Sequence, residues 1–154
     1  MKLPIYTSLL MISLLLSGCV TTTPQPTASS SMSAEAKRQM VVIDQTARDS
    51  EMFYLHVPSA DNAISNRMVL VSLRSGTRSQ AVNALVNYLN RQPASSIGVV
   101  GEHEEINLAT IDVALQQLSP ATERGRVYVV SKAPHPERVD QASSVGVELV
   151  LIQP

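Results

Sequence analysis

The sequence predicts an α/β fold: a single two-layer sandwich in which a mixed sheet carries its helices on one face. Three observations predict it. From residue 67 onward, short apolar runs alternate with amphipathic stretches, in the order strand, helix, strand, helix, strand, short helix, strand. Residues 51–57 alternate apolar and polar with the period of an extended chain. Each later apolar run is brief and bounded by Gly, Pro or polar residues, which fits a buried strand better than a core helix. Helices that cross between strands must then cover the sheet.

The elements follow in order. Residues 34–50 form a lead-in: "AEAKRQMVVIDQTARDS" reads as a helix capped by Ser33, with Met40, Ile43 and Ala47 on one face, or as an extended segment through Met40–Ile43. "EMFYLHV" places Phe53, Leu55 and Val57 on one side and Met52, Tyr54 and His56 on the other, a strand closed by Pro58. "RMVLVSL" (67–73) reads as a second strand, and Gly76 sits in the turn that follows. "QAVNALVNYLN" spaces Val82, Leu85, Val86 and Leu89 for a helix ended by Pro93. "SIGVVG" (96–101) is a buried strand. "NLATIDVALQQL" (107–118) sets Leu108, Ile111, Leu115 and Leu118 on one helix face, stopped by Pro120. "RVYVVS" (126–131) is a strand, "PERVDQAS" a short helix with Pro136 at its first position, and "GVELVLI" (146–152) the last strand. That last strand is either an edge ready to pair with another chain or core covered by the sheet's own strands.

Upstream of this domain (51–154) the chain changes character. Met1 and Lys2 precede an apolar run from Ile5 to Leu16, shorter than the roughly 20 residues a settled bilayer helix needs but suited to export. The run closes on Leu16-Ser17-Gly18-Cys19, which resembles the lipobox of bacterial lipoproteins. The resemblance implies cleavage between Gly18 and Cys19 and acylation of Cys19, with residues 1–18 as signal peptide. Two or three acyl chains exceed the marginal hold of one. Asp after the cysteine resembles an inner-membrane retention signal; here Val20 stands instead, which implies the outer membrane, facing the periplasm. With Cys19 acylated, the only cysteine is spent and no disulfide is expected. Residues 19–33 carry Ser, Thr and Pro with little to bury, and read as a flexible tether. The fourteen residues from Val20 to Ser33 reach at most ~45 Å.

Composition excludes several function classes. Lys2 is the only charge before Cys19, so the remaining 11 basic and 13 acidic residues leave a near-neutral domain without a basic block. Nucleic acid is therefore not an expected partner. There is no Trp and a single Phe, so stacking platforms are scarce and the core must be aliphatic.

The densest run of acids and imidazole is "GEHEEIN", residues 101–107. A zinc helix of the His-Glu-x-x-His kind needs a second His four residues after His103, where Asn107 stands. His56 and His135 lie on other elements, so no metal or other cofactor is expected. No Gly-x-Ser-x-Gly elbow occurs, and Ser75-Gly76 sits in a turn. Glu104 and Glu105, adjacent in sequence, read as solvating the loop and favouring the positive end of the next helix. No catalytic residues are expected, and the chain is read as a non-enzyme. Arg74, Arg78 and Arg91 flank the first amphipathic helix, either as a basic patch or as its ordinary solvated ends.

Two family resemblances bear on these residues. Laid without gaps on the peptidoglycan-binding OmpA C-terminal-like domain, Gly101 meets the glycine of its Gly-His-Thr-Asp, Glu104 the aspartate, Ile111 the helix tyrosine, Asp112 the asparagine and Leu115 the leucine. The pattern spans roughly residues 67–131 and implies a cell-wall or partner loop at Gly101, Glu104 and Asp112. The family holds diaminopimelate with that aspartate and an arginine fifteen residues later; here that position is Ser119, and no Arg or Lys lies between Glu105 and Glu123. The whole layout, with "MFYLHVP", "RMVLVSL", "AVNALVNYLN" and "SSIGVVG", resembles the CpaD-type lipoproteins of Tad (Flp) pilus assembly. That resemblance implies an accessory of the outer-membrane secretin through which a pilus leaves, with a secretin or pilus-assembly protein as partner and peptidoglycan as the alternative ligand.

Overall fold

A computed structural model describes residues 32–48 and 52–154. The expected signal peptide (1–18), Cys19, the expected tether up to residue 31, and residues 49–51 between the lead-in and the first strand lie outside the described residues. One compact unit runs from Ser31 to Pro154. Its elements are α1 (Ala34–Ala47), β1 (Met52–Val57), α2 (Ala63–Arg74), α3 (Gln80–Arg91), β2 (Ser95–Gly101), α4 (Glu104–Gln116), β3 (Gly125–Val130), α5 (Pro136–Ser144) and β4 (Val147–Ile152). Local chemistry sets several boundaries. The side chains of Ser33, Asn62 and Ser79 accept the N–H of Ala36, Ser65 and Val82, capping α1, α2 and α3. Pro136 opens α5, where its fixed φ suits the first turn. Gly146 turns the chain into β4 at φ +79, where a Cβ would crowd Ala121.

The α/β architecture is as expected, but the sheet is parallel throughout rather than mixed, in the order β1-β2-β3-β4. Each strand is followed across the sheet in the same direction, so crossovers of one hand place every connecting helix on the same face. That layer comprises α2, α3, α4 and α5. The expectation that helices lie on one face alone needs correction, because the opposite face is apolar too and α1 covers it. Met52, Tyr54, Val100, Tyr128, Val130 and Ile152 pack there against Ala36 and Ile43 of α1. Parallel strands covered on both faces read as continuous apolar runs, which is how "RVYVV" and "VELVLI" read. The lead-in is thus the helix of the two alternatives, and Met40–Ile43 is not a strand.

The larger correction concerns residues 67–73, which are helix α2 and not a strand. Leu73 is buried, and Val69 and Leu70 pack against the main core. Ile64, Met68 and Val71 point to solvent with 77%, 67% and 61% of their surface exposed. A helix apolar on both its inner and outer sides has no amphipathic period, and its β-branched residues then bias the reading toward strand. Helix α4 also begins three residues earlier than its apolar spacing suggests, at Glu104.

The main core gathers Val82, Leu85 and Leu89 of α3, Ile111 and Leu115 of α4, and Val99, Val127 and Val129 of the sheet, all 0–1% exposed. Truncating one such leucine to alanine costs about 2–5 kcal/mol. Gly98 serves the other face: a Cβ there would come within 2.6 Å of the Tyr54 ring, its neighbour across the β1–β2 register. That ring covers the gap left by the glycine, and its hydroxyl bonds to the Met40 carbonyl and the Asp44 carboxylate of α1.

Candidate functional site

Polar side chains concentrate where β1, β2 and β3 end, the side of a parallel sheet on which α/β proteins place their ligand loops. A groove of about 1020 Å³ opens there between α2, α4 and the start of α5. The order β1-β2-β3-β4 never reverses, so the sheet itself provides no topological switch-point crevice, and the groove lies between helices instead.

Gly101, Glu104 and Asp112, the positions singled out by the OmpA-like register, all belong to this end but do not converge on one point. Gly101 closes β2 in a tight corner. Its N–H donates to the Oε1 of buried Gln39 at 3.1 Å, and its carbonyl accepts the Asn107 amide at 3.4 Å. Glu104 reaches across to the loop after β3, where its Oε1 accepts both the Ser131 hydroxyl and the Lys132 N–H at 2.8 Å. It ties two loops together, rather than only solvating one as its sequence context suggests. Asp112 faces α5 and receives Arg138 Nε at 2.9 and 3.1 Å.

Arg138 is the residue the sequence could not supply. No cation stands on the helix carrying Asp112, but the crossover through β3 brings one in from 26 residues away. The guanidinium is shared: its Nη1 also contacts His135 Nδ1 at 2.7 Å and Glu137 at 3.3 Å. His135 Nδ1 also lies 3.4 Å from Glu137, and the histidine backbone sits at φ +29, a region costly for a residue with a Cβ.

His103 and Asn66 form a second pair, Nε2 to Nδ2, at 2.8 Å, while Asn66 Oδ1 accepts the Ala60 N–H at 2.7 Å. Buried Asn66, just ahead of residues 67–73, anchors the start of α2 to the loop before α4. Glu102 accepts the Ser59 hydroxyl at 3.1 Å. The histidines sit on β1, the β2–α4 loop and the β3–α5 loop, and no group of three metal-ligating side chains occurs among the described residues. Arg74 lines the groove, whereas Arg78 and Arg91 do not. Gly18 and Cys19 lie outside the described residues. Among those residues, no helix is long and apolar enough to cross a membrane.

Burial raises the pKa of the Tyr88 phenol above its ordinary value, as burial and then Asp44 do for Tyr54. Neither phenol faces the groove. Glu102, Glu104 and Asp112 are each engaged in bonds that hold loops and helices together, and Asn107 and Thr110 beneath them keep two buried oxygens, Oδ1 and Oγ1, without a hydrogen-bond partner.

No family model, curated protein or solved structure matches this chain.

Proposed function

We propose that the protein is a non-catalytic lipoprotein, held to the periplasmic face of the outer membrane through acyl chains on Cys19. Its role is that of an accessory in assembling an envelope-spanning pilus or secretion machine of the Tad type. The observation that carries the docking part is the open edge of β4. Ser131 N donates to Ile152 O at 2.9 Å and Arg124 N to Gly146 O at 2.7 Å, so the even-numbered residues turn their backbone groups toward β3. The backbone groups of Val147, Leu149 and Leu151 then face away from the sheet. No Lys, Pro or bulge blunts this edge, and its one charge, Glu148, is joined to Arg126 at 2.6 Å. An unblunted edge accepts a strand from another chain. A secretin or another pilus-assembly protein is the partner this reading names.

Crosslinked pull-down of the tagged protein from envelopes tests it. Recovery of a secretin should be lost in Leu151→Pro, which removes an outward N–H. It should persist in Leu151→Ala, which loses the packing but keeps the donor. Equal recovery from both variants would reject the edge as the docking element.

The peptidoglycan reading has one specific observation in its favour, the Arg138 guanidinium beside Asp112. A stem-peptide carboxylate would have to displace Asp112 from it. Sedimentation of the protein with purified cell wall, abolished by Arg138→Ala or Glu104→Ala, would favour that reading over assembly.

A further inference from the structure

Helix α2 is inverted. At 100° per residue its buried side is centred on Asn66 and Leu73, and the opposite pole carries Ile64, Met68 and Val71. These are among the most exposed large apolar side chains of the described residues. Arg67 and Arg74 lie on one flank of that pole, and Arg78 follows in the turn. No acidic residue occurs anywhere from Ala63 to Ser79, and none of the three arginines makes an ion pair among the described residues. The acids nearest to Arg67 and Arg74 stand on the far wall of the groove, at Glu102, Glu105 and Asp112. All the charge on α2 itself is thus cationic, the pattern of a helix lying in the boundary of an anionic bilayer.

The placement of α2 suits that use. Helix α1, into which the tether leads, meets the carboxyl end of the sheet through Gln39 and Gly101. The first turns of α2 reach the same end through Asn66 and His103. The chain therefore enters the fold at the end of the sheet where α2 begins, on the opposite face, and the fourteen residues before α1 confine the domain within ~45 Å of an acyl anchor at Cys19. Confinement of this kind raises the effective concentration of the helix at the surface. We propose that α2 lays Ile64, Met68 and Val71 into the anionic phospholipid surface to which the chain is tethered, with Arg67, Arg74 and Arg78 held at the headgroups. Lipid contact on this helix leaves the β4 edge free for a protein partner. The inference rests on the acyl anchor proposed above.

The acylated full chain, reconstituted in vesicles of phosphatidylcholine with phosphatidylglycerol or of phosphatidylcholine alone, tests it. With Cys19 acylated, Met68→Cys provides a single thiol for an environment-sensitive dye, and Val41→Cys on exposed α1 provides the control. Neither substitution touches the core. Spin-labelled lipid should quench the dye at position 68 but not at 41, in the anionic vesicles, and Arg67→Glu with Arg74→Glu should abolish the quenching. Vesicles that float without protein overturn the anchor and this inference together. Vesicles that carry protein but leave position 68 unquenched overturn this inference alone, as does equal quenching at both positions or in both lipids. A dye shift that depends on protein concentration without lipid assigns the pole to a second copy and likewise overturns it.

Discussion

Arg138 grips Asp112 through one nitrogen, Nε, which lies 2.9 and 3.1 Å from the two carboxylate oxygens and joins α5 to α4. Both side chains are about three-quarters buried, so water screens the pair less than it would at an open surface. A double-mutant cycle with Asp112→Ala and Arg138→Ala should return a coupling of about 1–2 kcal/mol. Urea denaturation of the four proteins measures it. A coupling near zero would mean that the guanidinium is held by His135 and Glu137 alone, and would leave Asp112 available to a ligand.

Gly98 is needed for space rather than for backbone freedom. Gly98→Ala pushes a methyl group into the Tyr54 ring, which α1 holds in place through Met40 and Asp44. The expected cost is about 1–3 kcal/mol. Tyr54→Phe/Gly98→Ala should recover part of it, because a ring without the hydroxyl is free to shift. Thermal melts of the single and double variants decide this.

The same tyrosine sets an alkaline limit. Burial, and then the neighbouring Asp44 carboxylate, raise the Tyr54 phenol above its ordinary value. The folded state therefore binds that proton more tightly than the unfolded chain. The stability this provides is complete below pH ~10 and is lost as pH rises toward the native value. The Tm difference between the wild-type protein and Tyr54→Phe should accordingly shrink above pH ~10. A constant difference across that range would sink the assignment.

Thr110 buries a hydroxyl with no partner on α4. Thr110→Val keeps the shape and removes the unsatisfied group, so the variant should be more stable, by about 1 kcal/mol. A lower Tm would show that the hydroxyl is bonded in solution, as through a buried water.

Much of this fold was legible because burial leaves local traces. Leu85 and Leu89 in α3, the alternation around Leu55 and Val57, and Pro136 at the start of α5 each announce their element within a few residues. The site was less legible. Glu104 and Asp112 could be singled out through the OmpA-like register, but their partners Ser131, Lys132 and Arg138 stand across a whole crossover, and no local pattern encodes that distance.

By itself, then, the sequence determined the lipobox-like segment, the polar stretch behind it, the alternation of strands and helices and the aliphatic core, all of which depend on neighbours along the chain. Tertiary structure decided that residues 67–73 coil rather than extend, because Leu73 packs inward while Asn66 ties the helix start to His103. It also decided that α1 covers the second face and that β4 is left as an edge, since which strand lies beside which depends on crossover direction and not on any one segment. Helix α2 marks the boundary between the two. Its outer apolar pole hid its periodicity from the sequence, and only the fold shows that those side chains face out.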